Sequence, residues 1–330
     1  MKNFWKWTKR IVLGLLVLIL ILVGLLLVVG AKAKAKLAAA NPPPGELVDV
    51  GGYRMHIYCT GVGSPTVILE AGLNDFYVSW AQIQPAIAQA TRVCSFDRAG
   101  LGWSELSSRP RTSEVMAEEL HTLLAKANIA GPYILVGHSF GGINLRVFAR
   151  MYPAEAAGMV LVDSAHEEQS GRLPFLKDAT EQAIGQLRLF SFLSASGLMA
   201  LLPENIPNRG LSAEVYKQYQ AVVATTRYFQ GAMAESAGVN GSAASPKIAG
   251  LGDLPLIVLT HEKFEAMPGL TASQQEQFEQ EWTKMQRELA GLSSKSKQII
   301  ASASGHYIQV DRPELVIEAI LELVYSLSTH

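Results

Sequence analysis

The apolar residues of this chain form one long run at the beginning and many short runs after it. Residues 11–30 contain only apolar side chains and glycine, and a helix of that length, about 30 Å, crosses the hydrocarbon core of a bilayer. A secretory signal has an apolar core of only ~7–15 residues. The run therefore predicts an uncleaved single-pass membrane anchor, with a cleaved signal peptide as the alternative.

The residues around this run predict the limits of the anchor and its orientation. We place the anchor segment at 1–36, because basic residues flank the run on both sides and two tryptophans suit an interfacial position. Four basic residues before the run and three after it give a small bias towards a cytoplasmic N-terminus. The Pro-rich stretch 37–45 predicts a linker, and 46–330 is long enough for one large domain.

Beyond the linker, short apolar runs alternate with helical patterns. This alternation predicts an α/β domain with a mostly parallel sheet, helices on both faces, and a functional site at the carboxyl ends of the strands. A Gln/Glu-rich helical segment at 269–291 is expected to be exposed. The runs typical of strands are 54–58, 66–69, 92–96, 133–136, 159–162, 256–260 and 297–301.

The segment from Gly137 to Gly142 carries the most specific signal, a G-x-S-x-G pattern between a predicted strand and a predicted helix. Glycines on both sides of Ser139 permit a tight turn that exposes the serine hydroxyl. The backbone N–H of Phe140, at the start of the helix, would face an oxyanion that forms beside that hydroxyl. We therefore predict that Ser139 is a nucleophile.

A nucleophilic serine needs a base, and His306 is the strongest candidate. It lies on the loop between the last predicted strand and the last helix, from where a side chain can reach over the carboxyl edge of the sheet. His166 and His261, near strand ends, are weaker rivals. We interpret His138, next to the serine, as a packing or pocket residue.

These segments resemble the α/β-hydrolase-fold serine hydrolases, and the resemblance extends from about residue 45 to about residue 328. Residues 67–74 resemble the strand and loop that supply the second oxyanion N–H in that family, here from Leu73. Family members usually carry His-Gly in this loop, whereas this chain has Ala71-Gly72, which keeps the backbone donor.

A second segment, 94–104, resembles the D-x-x-G-x-G-x-S loop of the same family, and we assign structural roles to its Asp97 and Arg98. The resemblance implies an eight-stranded sheet with a helical cap inserted after the sixth strand, at about 165–250. An apolar stretch within that cap, 187–202, is expected to be its packed underside; lining an acyl pocket or leaning on the membrane are the alternatives.

The acid that orients the histidine in this family has two possible positions. Asp163 ends a buried strand 24 residues after Ser139 and is the better candidate, with capping of the next segment as its alternative role. After the following strand, the expected position falls on Phe264, and Glu262 and Glu265 are out of phase with it. We predict Asp163, with a glutamate near 262–265 as the alternative.

The two cysteines give an indication of the cellular compartment in which the domain lies. In the family sheet the second and fourth strands are adjacent and antiparallel, which would bring Cys59 and Cys94 together. A disulfide between them would indicate an oxidising compartment, while two buried free thiols are the alternative. Together with the charge bias, this favours a single-pass membrane protein whose domain lies outside the cytoplasm.

These residues predict an enzyme. Ser139, His306 and Asp163 would hydrolyse carboxylic esters or related acyl bonds through an acyl-enzyme, on a small, moderately hydrophobic acyl substrate. Amidase, aminopeptidase and acyltransferase activities are alternatives, and a non-catalytic, membrane-tethered binding module is a hypothesis of a different class. A serine nucleophile argues against dehalogenase and epoxide-hydrolase chemistry, which proceed through an ester on a carboxylate.

The composition and motifs of the chain argue against several kinds of partner and cofactor. The net charge is −1 and basic residues cluster only beside the anchor, so we expect no nucleic-acid partner. The sequence shows no metal-ligand cluster, dinucleotide glycine fingerprint or P-loop, so we expect no cofactor and no metal.

Overall fold

The computed structural model describes residues 2–243, 250–263, 266–267 and 269–328 of the 330-residue chain. Its centre is an eight-stranded sheet in the order β1-β2-β4-β3-β5-β6-β7-β8. β2 is antiparallel to β1 and β4, and every other neighbouring pair is parallel, which confirms the predicted fold class. The strands are β1 (Glu46–Asp49), β2 (Arg54–Thr60), β3 (Thr66–Glu70), β4 (Val93–Phe96), β5 (Tyr133–His138), β6 (Ala156–Val162), β7 (Leu256–His261) and β8 (Ser296–Ala301).

Helices cover both faces of this sheet because alternate strand residues point to opposite sides. Leu135 packs in a cluster with α3, α4 and α10, whereas its neighbour Ile134 packs in a cluster with α2 and α12. The helices are α1 (Lys2–Ala40), α2 (Gln84–Ile87), α3 (Ser113–Lys126), α4 (Phe140–Met151), α5 (Gln169–Arg172), α6 (Leu176–Ser196), α7 (Leu198–Leu201), α8 (Ala213–Val223), α9 (Thr226–Ala243), α10 (Ala272–Ala290), α11 (Ile308–Asp311) and α12 (Pro313–Ser328).

The N-terminal helix α1 is longer than the apolar run that predicted it. By length and composition it could cross a membrane, and its apolar side chains are exposed. It continues to Ala40, so residues 37–40 of the predicted linker are helical, and the non-helical stretch starts at Asn41. Alanine and lysine are strong helix formers, whereas the prolines at 42–44 cannot continue a helix.

The cap consists of α5 to α9, and residues 164–243 contain no strand. Its core is an aromatic cluster in which Phe76, from the loop after β3, stacks on Tyr219 of α8 and meets Tyr228 of α9 edge to face. The cap is thereby fixed to a loop that leaves the carboxyl end of a central strand. This places it over the edge of the sheet where the functional site was predicted.

The expectation that residues 269–291 are exposed is wrong for one face of helix α10. Its apolar residues Phe278, Trp282, Met285 and Leu289 repeat at helical spacing and are buried. The segment therefore packs one face against the domain, and only its Gln/Glu-rich face meets solvent.

The two cysteines lie directly opposite one another in the antiparallel pair of β2 and β4. The sulfurs of Cys59 and Cys94 are joined in a disulfide. The bond ties the antiparallel strand β2 to the parallel part of the sheet.

Candidate active site

Ser139 occupies the turn between β5 and α4 with φ at +49°, a backbone conformation that residues other than glycine rarely adopt. Three backbone hydrogen bonds hold it there. Its N–H donates to the carbonyl of Val162 at 3.1 Å, and its own carbonyl accepts from the N–H groups of Gly142 and Ala165, both at 3.0 Å. The strained turn is therefore anchored to the neighbouring strand β6.

The glycines of the motif are required by close backbone approaches. A Cβ atom on Gly137 would lie 2.7 Å from the Cα of Gly142, and one on Gly141 would lie 2.6 Å from the carbonyl oxygen of Ala71. Both distances are far below van der Waals contact. Larger residues would push apart the turn that carries the serine.

His306 and Asp163 meet beside this turn. Nδ1 of His306 donates to Oδ2 of Asp163 at 2.5 Å, which leaves Nε2 of the same ring outside this pair. The Asp163 carboxylate is fully buried, while the His306 side chain is 31% exposed. His306 and Ser139 both line one cavity of about 500 Å³. The structure thus brings the three predicted residues to one place.

Asp163 accepts more hydrogen bonds than its partnership with His306 requires. It lies at the carboxyl end of β6, and its N–H donates to the carbonyl of Leu259 in β7 at 2.8 Å. Its Oδ1 accepts from the His261 N–H at 3.2 Å and from Nε1 of Trp282 at 3.1 Å, and its Oδ2 also accepts from Nδ1 of His261 at 2.7 Å. Burial raises the pKa of Asp163, but the hydrogen bonds from His261 and His306 outweigh it and hold the pKa below its ordinary value.

His261, a weak rival for the base in the sequence, is the second histidine on this carboxylate. Its Nε2 lies 3.2 Å from Oε2 of Glu279 on α10. Burial lowers the pKa of His261, but the two carboxylates Asp163 and Glu279 together raise it to about 10. It therefore carries a positive charge at neutral pH, which does not suit a general base.

Trp282 and Glu279 were not identified from the sequence. Trp282 also meets the ring of His306 edge to face, with centroids 5.5 Å apart. The signal that could have identified it is the apolar repeat of α10, which includes Trp282 and requires a buried face. Nothing in the sequence indicates that this face lies beside Asp163.

The two predicted oxyanion donors also lie at the cavity, which Leu73 and Phe140 line. A Cβ atom on Gly72 would approach the Cβ of Ser139 to 3.3 Å, so the loop after β3 runs directly beside the serine. Within the described part of the chain, the backbone N–H groups of Leu73 and Phe140 have no backbone acceptor. They are available to a ligand atom beside Ser139.

Arg98 holds the loop after β3 in place through hydrogen bonds to its backbone. Its guanidinium donates to the carbonyls of Ala71 and Gly72 at 2.6 and 2.7 Å. It also donates to the carboxylate of Glu235 on the cap helix α9, at 2.6 and 2.9 Å. The other Oε2 contact of Glu235 is the N–H of Asn74, at 2.6 Å. A buried ion pair thus joins the cap to the loop after β3.

Asp97 has the structural role that was predicted for its segment. Its carboxylate accepts from the N–H groups of Tyr77 and Trp103, each at 2.9 Å, and from Nδ1 of His56 at 2.7 Å. These bonds hold three separate segments together beneath the cap.

His138 packs between the nucleophile turn and the loop of His306. Its Nε2 donates to the carbonyl oxygen of His306 at 3.0 Å. Burial and the nearby His306 ring lower the pKa of His138 to about 3, so it is neutral. The neutral ring serves as a spacer that fixes the backbone of the His306 loop.

The glutamates proposed as alternative acids do not replace Asp163. Glu262 is exposed, and its carboxylate accepts from the N–H of Ala303 at 2.8 Å. Phe264 and Glu265 lie outside the described residues.

Two clusters of the described residues have the geometry of metal ligands, Asp163-His261-His306 and His166-Glu168-Glu288. In the first, both imidazoles already donate to the carboxylate. In the second, Arg172 forms ion pairs with both glutamates and neutralises much of their charge. Both clusters are therefore explained by protein contacts alone.

The walls of the cavity are mostly apolar and come from three parts of the chain. The cap contributes the first two turns of α6, helix α10 contributes aromatic side chains, and the turns that carry Ser139 and His306 complete the wall. The principal apolar lining residues are Leu73, Phe140, Ile143, Leu176, Ala179, Ala183, Phe278 and Trp282. An acyl group of moderate size can be held here against apolar surface.

Comparison with known proteins agrees with this geometry. A family model described as the alpha/beta hydrolase fold matches residues 65–313. The chain therefore belongs to the α/β-hydrolase family, the class of protein that its sheet and its cap define.

Individual relatives are distant. The chain is 32% identical over 136 residues to the "Probable transporter efuK" of Hormonema carpetanum, covering 39% of this chain and 20% of that protein. It is 26% identical over 327 residues to an uncharacterized protein of Schizosaccharomyces pombe, covering 86% of this chain and 56% of that protein. The chain thus spans less than two thirds of both relatives. A solved thermophilic esterase from Thermogutta terrifontis shares the fold at 20% identity and a TM-score of 0.59, covering 86% of this chain and 99% of that one.

Proposed function

We propose that this chain is a membrane-anchored serine hydrolase that cleaves carboxylic esters or related acyl bonds. The observation that carries the proposal is the 2.5 Å contact between His306 Nδ1 and Asp163 Oδ2 beside Ser139, in a largely apolar cavity. A binding module would need none of these three residues. The esterase with the same fold is consistent with the proposal.

The proposed reaction has two acyl transfers. Nε2 of His306 takes the hydroxyl proton of Ser139 as its Oγ attacks the substrate carbonyl, and the N–H groups of Leu73 and Phe140 stabilise the oxyanion. The intermediate collapses to an acyl-enzyme when His306 returns the proton to the leaving alcohol. Water, deprotonated by the same Nε2, then attacks the acyl-enzyme, and this second intermediate collapses by breaking the acyl–Oγ bond as Nε2 returns the proton to Ser139 and the acid is released. Asp163 holds the ring orientation and stabilises the imidazolium.

A fluorophosphonate probe tests the proposal, since it reacts with serines that are activated by a neighbouring base. The full chain should be labelled at Ser139, and Ser139→Ala should abolish the adduct. Ser170→Ala is the matched control, because Ser170 lines the same cavity. Asp163→Asn should slow labelling by orders of magnitude with folding intact. A folded chain that is not labelled would contradict the catalytic proposal and favour a binding role.

The proposed orientation places the catalytic domain outside the cytoplasm. The disulfide between Cys59 and Cys94 and the small excess of basic residues before the span support it. The intact mass of the chain isolated from membranes, alkylated with and without reductant, tests the disulfide. Two thiols that alkylate without reductant would contradict the extracytoplasmic assignment.

A further inference from the structure

The C-terminal part of α1, at Gly30 and Lys34, is docked against the corner between α6 and α7. The backbones touch, because a Cβ atom on Gly30 would lie 2.5 Å from the carbonyl oxygen of Ser196, and one on Gly197 would lie 2.3 Å from the Cα of Gly30. Nζ of Lys34 donates to the carbonyls of Ser194 and Ala195 at 3.1 and 3.2 Å. A cation on the last carbonyls of α6 is a favourable C-terminal cap.

This contact fixes the position of the cap along the axis of the anchor helix, and therefore its distance from the membrane. Gly30 is the last residue of the apolar run 11–30, so in the proposed membrane-anchored arrangement it lies where the span leaves the hydrocarbon. The backbone of Ser196 and Gly197 touches it there. The corner between α6 and α7 therefore lies at the level of the lipid headgroups.

The residues around this corner expose an apolar surface. Leu189 is 58% exposed, Phe192 70%, Leu198 37% and Leu202 42%. We call these four residues the cap corner. Phe192 precedes Gly197 by five residues, which is about 8 Å along the helix and within the thickness of the headgroup layer. The packed face of α6 lies elsewhere, since Leu187 belongs to the aromatic core of the cap.

We propose that the cap corner inserts into the interfacial layer of the bilayer that α1 crosses, and that the enzyme takes esters whose acyl chains partition into that layer. The substrate class rests on the proposed hydrolase activity, whereas the docking surface rests only on the proposed membrane anchor. Helix α6 supports the link, because Leu176 and Ala183 in its first turns line the cavity while its last turns reach the corner. A 21-residue helix, about 30 Å long, thus connects lipid and active site.

Depth-dependent quenching tests the surface without using activity. Cys59 and Cys94 are paired, so Phe192→Cys supplies a single thiol for an environment-sensitive dye in the full chain. In phosphatidylcholine vesicles, we expect blue-shifted emission that lipids with brominated acyl chains quench. The control is Ala130→Cys, an exposed position on the loop before β5, at the opposite edge of the sheet.

Two results would overturn the docking surface. Dye at position 192 that is as accessible to water as dye at position 130 would show that the corner faces solvent. Dye that is shielded in vesicles and in detergent alike, but not quenched by bromine, would show that another copy of the chain covers it. Release of the full chain from vesicles by carbonate would overturn the premise that α1 spans.

Kinetics test the substrate class. The double variant Leu189→Ser/Phe192→Ser should hydrolyse a vesicle-embedded long-chain ester about five- to tenfold more slowly, because it loses apolar area that holds the cap in the interface. Its rate on a short, water-soluble ester should be unchanged. Val62→Ser, at an 85% exposed position on the β2–β3 turn, should change neither rate. Equal losses on both esters would contradict the inference, whereas an inactive wild-type chain with intact quenching would contradict only the proposed function.

Discussion

His261 and Asp163 form a buried ion pair, with Nδ1 of the histidine 2.7 Å from Oδ2 of the aspartate. The same oxygen accepts from His306 at 2.5 Å. Because Asp163 and Glu279 raise the pKa of His261 to about 10, the carboxylate that orients His306 already has one cation beside it. His261 faces these two carboxylates and the ring of Trp282, and the ring of His306 also lies close, since ligand atoms of Asp163, His261 and His306 are all within 4.8 Å of one another.

The charge of His261 should influence the pH at which the enzyme becomes active. His261→Asn keeps an N–H near the position of Nδ1 but removes the positive charge, so the negative field of Asp163 beside the base is less compensated. We expect the acid limb of the kcat/KM profile to move up by roughly one pH unit. The measurement is the pH–rate profile of both chains on a soluble ester.

A remote histidine–glutamate pair provides the control. His121 lies 3.0 Å from Glu155 on the protein surface, and His121→Asn should leave the acid limb where it is. An acid limb that moves down in His261→Asn, or not at all, would show that His261 does not act on His306 through its charge.

The pairing of His261 with Asp163 should make the stability of the folded chain fall at high pH. The folded pKa of His261 is raised from 6.5 to about 10, so the folded chain keeps a proton that the unfolded chain releases. The contribution of His261 to the free energy of unfolding is therefore complete below about pH 6.5 and is lost as pH rises towards 10. Thermal unfolding from pH 6 to pH 10 should show a steeper loss for the wild type than for His261→Asn. Parallel curves would contradict the raised pKa.

Trp282 should act as a positioning residue for Asp163. Trp282→Phe removes the N–H that donates to Oδ1 at 3.1 Å but keeps an aromatic ring. Since three other donors remain on the carboxylate, we expect a kcat lower by roughly tenfold with little change in KM. Trp80→Phe is the matched control, because Trp80 is fully buried and its Nε1 has no partner among the described residues. Equal kcat losses in both variants would indicate a general packing effect.

The sequence could predict the nucleophile turn because its information is local. Gly137 is needed by a backbone approach to Gly142 within one strand–turn–helix unit that is continuous in the chain, whereas Gly141 leaves room for the carbonyl of Ala71 in the loop after β3. The strands could be predicted for the same reason, since buried parallel strands are short apolar runs. β1 is the exception, because its four residues are only partly buried and leave no apolar run.

The sequence could not predict the side chains that hydrogen-bond to Asp163 besides His306, because they come from distant parts of the chain. His261 and Trp282 contact Asp163 although they lie 98 and 119 positions from it in the sequence. Their contacts depend on how α10 packs beside β7, and an amphipathic pattern predicts a buried face but not the partner of that face. The Gln/Glu-rich composition of α10 even favoured the opposite conclusion.

The ion pair between Arg98 and Glu235 should position the loop that carries Leu73. Arg98 donates both to Glu235 on the cap and to the carbonyls of Ala71 and Gly72, and all of these groups are buried. Glu235→Gln leaves the guanidinium without its main countercharge, because burial raises the pKa of the other nearby carboxyl, Glu70, to about 7. Breaking a buried pair in this way costs about 3 kcal/mol in the free energy of unfolding.

The kinetic effect of Glu235→Gln should exceed its effect on binding. A guanidinium that loses Glu235 holds the loop less firmly, so the N–H of Leu73 is less well placed for the oxyanion, and kcat should fall roughly tenfold or more while KM changes little. Glu105→Gln is the control, because the Arg54–Glu105 pair is exposed and contributes little to stability. Removing both buried charges, in Arg98→Met/Glu235→Leu, should recover stability but not kcat, since the loop carbonyls lose their donor. Recovery of kcat in that double variant would show that the pair serves stability alone.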